Sequence, residues 1–159
     1  MPIFIPRRTK VHYSINNEDR FIESKPLTKR WIKGFDAAKK ASQYDDSETQ
    51  SHRMGSAIFQ SGKLLSTGHN VYGKSKPGNT FVDDLKVYNK SVHAEQMAVD
   101  RIKHYEYDAK LVLYVVRLDG NGDFTCSSPC DMCIEYMKEH GIKKVRFINK
   151  NGQPEELTL

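Results

Sequence analysis

Apolar residues recur along this chain with helical spacing in some stretches and strand-like spacing in others, and the alternation predicts an order of elements. After Thr28, a residue suited to cap a helix, KRWIKGFDAAKKASQ sets Trp31, Ile32, Phe35, Ala38 and Ala41 along one helical side despite Gly34. GSAIFQSGKLLSTGHN reads as a hairpin, with strands at 57–59 and 64–66 around the turn Ser61-Gly62. A second helix is predicted over 92–105. KLVLYVVRL then runs continuously apolar, as a strand covered on both faces does. DGNGD breaks it, and FTCSS is a short strand-like piece leading to Pro129. CDMCIEYMKEHG makes a third helix, with Met132, Ile134 and Met137 as core contacts and Gly141 as its C-terminal cap. KKVRFI is the next strand, and EELTL a short final one. The order α-β-β-α-β-α-β predicts an α/β fold, a three-layer α/β/α sandwich with a mixed central sheet, a hairpin on one side and right-handed crossovers on the other.

Two stretches carry no sustained period. Residues 1–26 mix charge, Asn and Pro and read as an N-terminal arm or lead-in, which leaves 27–159 as one domain. Residues 68–91 are rich in Gly, Pro, Asn, Lys and Asp, and their length suggests a functional loop more than a connector. With 159 residues, 38% apolar and 28% charged, the chain has enough material for a single core under a well-solvated surface. Its longest apolar run, LVLYVV, is far too short to span a bilayer, and MPIFIPRRTK lacks the pattern of a secretory signal. A soluble, cytoplasmic protein with no membrane partner is expected. The net charge of +5 comes from scattered Lys and Arg, including Arg7, Arg8 and Lys10, then Lys29, Arg30 and Lys33, then Lys143, Lys144 and Arg146. A solvated basic surface and a phosphate-binding surface both fit that distribution.

The chemistry concentrates in two short motifs. Three cysteines, Cys126, Cys130 and Cys133, crowd into SSPCDMC and the residues just before it, which suits a metal in a reducing compartment better than a disulfide framework. Cys130 and Cys133 lie three apart at a helix start, hence on one face, where the helix polarity favours thiolate. Upstream, SVHAEQMAVDRI places His93 and Glu95 two apart where the second helix begins. One His and two Cys supply three ligands, leaving a tetrahedral zinc one open position of the catalytic kind. Glu95 is then placed as a proton carrier for a water at the metal, and not as a ligand. C-x-x-C alone also fits a redox pair or half of a zinc ribbon, although no second C-x-x-C exists. Cys126, separated from Cys130 by Pro129, reads as a small buried residue at a strand end.

Through HAEQMAV, SSPCDMC, the hairpin MGSAIFQSGKLLSTGHN and HGIKKVRF, the chain resembles the cytidine deaminase superfamily, and within it the CMP/dCMP type. The resemblance implies that His93, Cys130 and Cys133 bind Zn2+ and that Glu95 is the catalytic proton carrier, passing a proton to the ring nitrogen and then to the departing amine. It also implies that Asn70 contacts a bound nucleoside and that the amides of Ala94 and Cys130, beside Pro129, hold the base's carbonyl oxygen. By residue type alone Asn70 equally fits a turn position after Gly68. In the long loop, Lys74 and Lys76 are candidates to meet a 5′-phosphate, while Tyr72, Phe81 and Tyr88 fit either packing over a base or anchoring the loop. The superfamily implies a homo-oligomer.

RLDGNGDFTCSS intervenes between the strand and the P-C motif where dCMP-type enzymes usually run straight through, which leaves the substrate open. The expected function is hydrolytic deamination of a nucleobase, cytosine in a nucleoside or nucleotide before all others. Single-stranded DNA or RNA is the alternative substrate, supported by the basic composition. A non-catalytic zinc module that binds nucleic acid is the alternative of another class.

Overall fold

The computed structural model describes residues 10–15, 18–23, 27–45, 52–71, 92–102 and 110–159, the first two segments as backbone. Strands β1 (Lys10–Ile15) and β2 (Glu18–Glu23) form an antiparallel pair of their own. Part of the stretch read as an arm or lead-in is therefore an antiparallel strand pair. KVHYSI does alternate apolar and polar residues, a signal too short to stand out among charged neighbours.

Helix α1 (Lys29–Ser42) follows, with Thr28 accepting from the Trp31 amide at 3.3 Å as its N-cap. Next come β3 (His52–Gln60) and β4 (Lys63–His69), each longer than the pattern predicted. Ser61 and Gly62 join them with φ of 49° and 83°, the two left-handed positions of a type I′ hairpin turn. Helix α2 (Ala94–Asp100) is shorter than expected, and residues 103–105 of the predicted helix lie outside the described residues. Strand β5 (Leu111–Asp119), the short β6 (Phe124–Thr125), helix α3 (Asp131–Glu139), β7 (Ile142–Ile148) and β8 (Pro154–Thr158) complete the chain. Gly141, at φ 84°, ends α3 as its sequence position indicated.

The main sheet has the order β4-β3-β5-β7-β8, with β6 alongside β5. Among the described strands only β5 and β7 pair in parallel, across the crossover that contains α3, so the sheet is mixed as expected. Strand β5 is covered on both faces. Its Tyr114 and Val116 pack with Trp31, Phe35 and Ala38 of α1, whereas Leu111, Leu113 and Val115 pack with residues of α2 and α3. This is the α/β/α sandwich, two apolar cores separated by one sheet. Ile32 departs from the predicted apolar stripe: it is 42% exposed and lines, with Tyr44, Leu64 and three lysines of α1, a cavity of about 580 Å3 between α1 and the β3–β4 hairpin. That cavity includes no residue of the two chemical motifs.

Small residues let the helices come close. A Cβ on Gly68 of β4 would lie 2.1 Å from the Ala94 carbonyl oxygen, and one on Gly34 of α1 would lie 2.3 Å from the Tyr114 ring. Thus Gly34, a weak helix former, is in place to admit an aromatic ring. Around Gly68, Ser56 Oγ donates to Ala94 O at 2.7 Å and Ser66 Oγ donates to Ala98 O at 2.8 Å, so two serines of the hairpin bind the carbonyls of α2 directly. Replacing Gly68 with Ala is expected to lower unfolding free energy by about 2 kcal/mol, the usual scale for forcing a methyl into a filled contact. Urea denaturation checks this, and an unchanged midpoint would contradict the close approach.

Candidate active site

The site forms where the ends of β4 and β5 meet the starts of α2 and α3. Val71 and Val92 pair through two backbone hydrogen bonds of 2.9 and 2.8 Å, closing the long segment between them and delivering His93 beside Asn70. His93 takes an extended conformation as the N-cap of α2, and its amide donates to Gln96 Oε1 at 3.1 Å. The next amide, that of Ala94, donates to Asn70 Oδ1 at 2.7 Å. Two orphan donors of the helix start are therefore satisfied by side chains. Across the site, Cys130 is the extended N-cap of α3 after the buried Pro129, and Cys133 sits in the first turn with no exposure.

These placements bring the three expected ligands together. The donor atoms of His93, Cys130 and Cys133 all lie within 4.8 Å of one another. His93 Nδ1 is 3.2 Å from Cys133 Sγ and 3.7 Å from Cys130 Sγ. A tetrahedral zinc, with bonds of about 2.3 Å to sulfur and about 2.0 Å to nitrogen, keeps such donors about 3.5 to 3.8 Å apart. The cluster fits that ion with little movement. Cys126 is a half-buried free thiol outside it.

The electrostatics agree with the geometry. A hydrogen bond from Cys133, reinforced by His93, brings the Cys130 thiol down to about 4, so Cys130 is a thiolate at neutral pH. The same shared proton, together with burial, pushes Cys133 up. The hydrogen bond to Cys130 raises His93, against the opposing effect of burial. Glu95 is 2% exposed, and burial raises its carboxyl, with His93 partly offsetting the shift. Its Oε1 has no hydrogen-bond partner among the described residues. Burial and an oxygen without a hydrogen-bond partner make it a group suited both to take and to give a proton.

The Ala94 amide, expected to face a substrate carbonyl, donates here to Asn70 Oδ1, because the loop end and the helix start come within hydrogen-bond reach. Lys74 and Tyr88, with Tyr72, Lys76 and Phe81, lie outside the described residues. Two further residues, Gln96 and Ser127, brace the site. Gln96 is fully buried and bonds back to His93, and its spacing of three from the N-cap is a readable capping signal. Ser127 anchors the loop before Cys130, and no local pattern marks it.

Zinc content tests the ligand set. Cys130→Ser and Cys133→Ser are expected to lose most of the roughly one zinc per chain that three convergent ligands imply, and Cys126→Ser to retain it. Elemental analysis of the purified variants distinguishes them, and loss in Cys126→Ser would remove the assignment.

Comparison with known proteins places this geometry in a family. The sequence model for the cytidine and deoxycytidylate deaminase zinc-binding region matches residues 29–149, spanning the whole constellation. Among solved structures, the chain is similar to the cytidine deaminase of Mycobacterium leprae at 25% identity and TM-score 0.53, over 80% of this chain and 92% of that one. The cytidine deaminase of Burkholderia pseudomallei shares the fold at 20% identity and TM-score 0.59, over 83% and 93%. So does the dCMP deaminase of cyanophage S-TIM5, at 20% identity and TM-score 0.53, over 76% and 84%. No curated protein sequence gave a significant match. With the matched region covering most of the chain and containing the His-Cys-Cys cluster, the protein belongs to the zinc-binding family of cytidine and deoxycytidylate deaminases.

Proposed function

We infer that the chain hydrolyses the exocyclic amine of cytosine in a free nucleoside or nucleotide, converting cytosine and water to uracil and ammonia. One observation carries the reading: a buried carboxyl with an unpartnered oxygen, Glu95, follows by two residues a histidine that converges with two cysteines. A purely structural metal site has no use for that carboxyl, and burying it is costly unless its chemistry is used.

His93, Cys130 and Cys133 would hold the zinc, which when bound supplies Lewis acidity and lowers the pKa of a water toward neutrality. Glu95 takes the proton lost by the attacking water, delivers it to the ring nitrogen of the base, and shuttles a second proton to the departing amine. Its raised affinity for protons suits both directions of transfer. Asn70 fixes the first turn of α2 through the Ala94 amide, and so fixes where His93 and Glu95 stand. The high burial of Glu95 limits competing water.

A small substrate is favoured because the similar solved structures include cytidine deaminases and a dCMP deaminase. Net charge of +5 supports single-stranded nucleic acid as the second reading. Ammonia release from cytidine, CMP, dCMP and a cytosine-containing oligonucleotide, at low and moderate salt, separates the two. Turnover of at least one small substrate with weak salt dependence is expected. Activity confined to the oligonucleotide and steeply lost with salt would favour the polynucleotide reading, since several phosphate contacts release several counterions. Zinc without turnover on any of them would favour a binding module.

Glu95→Gln is expected to keep the fold and the zinc while turnover falls by about 10³-fold or more, as removal of a proton carrier demands. Near-normal turnover of the best substrate would exclude Glu95 from proton transfer.

A further inference from the structure

The two cysteines of the zinc site are fixed by different means. Cys133 is fully buried in the core with Ile134 and Met137, so packing holds it. Cys130 is exposed and precedes the first turn of α3, and its position therefore depends on the chain that enters the helix. Three residues earlier stands Ser127, a polar residue 1% exposed.

Ser127 sits at a fork in the sheet. The parallel register of β5 and β7 runs from Leu111↔Ile142 to Tyr114↔Arg146, and beyond it Val115 and Ile148 have no ladder partners in each other. The Ser127 amide donates to Ile148 O at 2.8 Å, and its hydroxyl accepts from the Ile148 amide at 2.9 Å. That hydroxyl also donates to Val115 O at 2.9 Å. One buried side chain thus closes the end of the ladder, bonded to both strands where they part. From this fixed point only Ser128 and the conformationally restricted Pro129 lead to Cys130. Small displacements at the fork are transmitted to the Cys130 sulfur with little slack.

We propose that Ser127 is a positioning residue that keeps Cys130 in ligating geometry by tying the cysteine loop to β5 and β7. The proposal rests on His93, Cys130 and Cys133 being the zinc ligands. Loss of the hydroxyl leaves a buried carbonyl and a buried amide without their partner, and the loop moves to satisfy them. The core around Cys133 stays packed. The effect falls on the metal more than on the fold.

The test is zinc affinity, measured by competition with a chromophoric chelator below the unfolding transition, together with urea unfolding of chelator-treated protein. Ser127→Ala and Ser127→Gly are expected to raise the zinc dissociation constant by about 10- to 100-fold, the range for groups that orient ligands indirectly. Ser127→Thr, which keeps the hydroxyl, is expected to stay closer to wild type than either. Ile148→Val trims the same fork but leaves its backbone bonds, and is expected to lower stability while zinc affinity stays as in wild type. Wild-type affinity in both the Ala and Gly variants, or an equal weakening in Ile148→Val, would overturn the proposal. Cys133→Ser serves as reference: if it binds zinc like wild type, the ligand assignment itself fails and the proposal falls with it.

Discussion

The seating of α2 on the β3–β4 hairpin is the contact on which the site depends. Gly68 leaves room for the Ala94 carbonyl, Ser56 and Ser66 donate to the carbonyls of Ala94 and Ala98, and Asn70 accepts from the Ala94 amide. A backbone approach this close is possible only with small side chains on the sheet. It buries the polar groups of the helix against matching polar groups, so the burial carries little penalty. In consequence His93 and Glu95, which flank Ala94, have almost no freedom to shift.

Helix α3 meets that fixed point from the other side. Its N-terminal polarity and the hydrogen bond from Cys133 stabilise the Cys130 thiolate, and the His93 imidazole lies against both sulfurs. Glu95 completes the arrangement with the opposite tendency, a carboxyl driven toward its neutral form by burial. One site thus stabilises a thiolate on α3 and discourages a carboxylate on α2. Such divergence is consistent with the proposed division of tasks, metal binding at the thiolates and proton transfer at Glu95.

The opposite face of the sheet supplies rigidity. Arg146 stacks over Trp31 with its guanidinium 4.5 Å from the ring centroid, bonds to Glu156 at 2.9 Å, and donates to the Tyr114 hydroxyl. Phe35 and Phe59 meet the Tyr114 ring edge-on, each with centroids 5.4 Å away. Tyr114 neighbours Leu113 and Val115 on β5, whose side chains pack toward α2 and α3, so the aromatic layer and the site share one strand.

What the sequence determined by itself was whatever depends on near neighbours along the chain. The Thr28 cap, the Ser61-Gly62 turn, the apolar run of β5, the Gly141 stop and the two motifs that supply zinc ligands are each encoded within a few residues. A helix start, a positive φ or a pair of thiols three apart needs no distant partner. The exposure of Ile32, the engagement of the Ala94 amide by Asn70 and the role of Ser127 between β5 and β7 were decided by tertiary structure alone. The last two join groups far apart in sequence, Asn70 with Ala94 and Val115 with Ile148. A hydrogen bond or a buried face of that kind exists only once the sheet has chosen its strand order, and no local pattern states that choice.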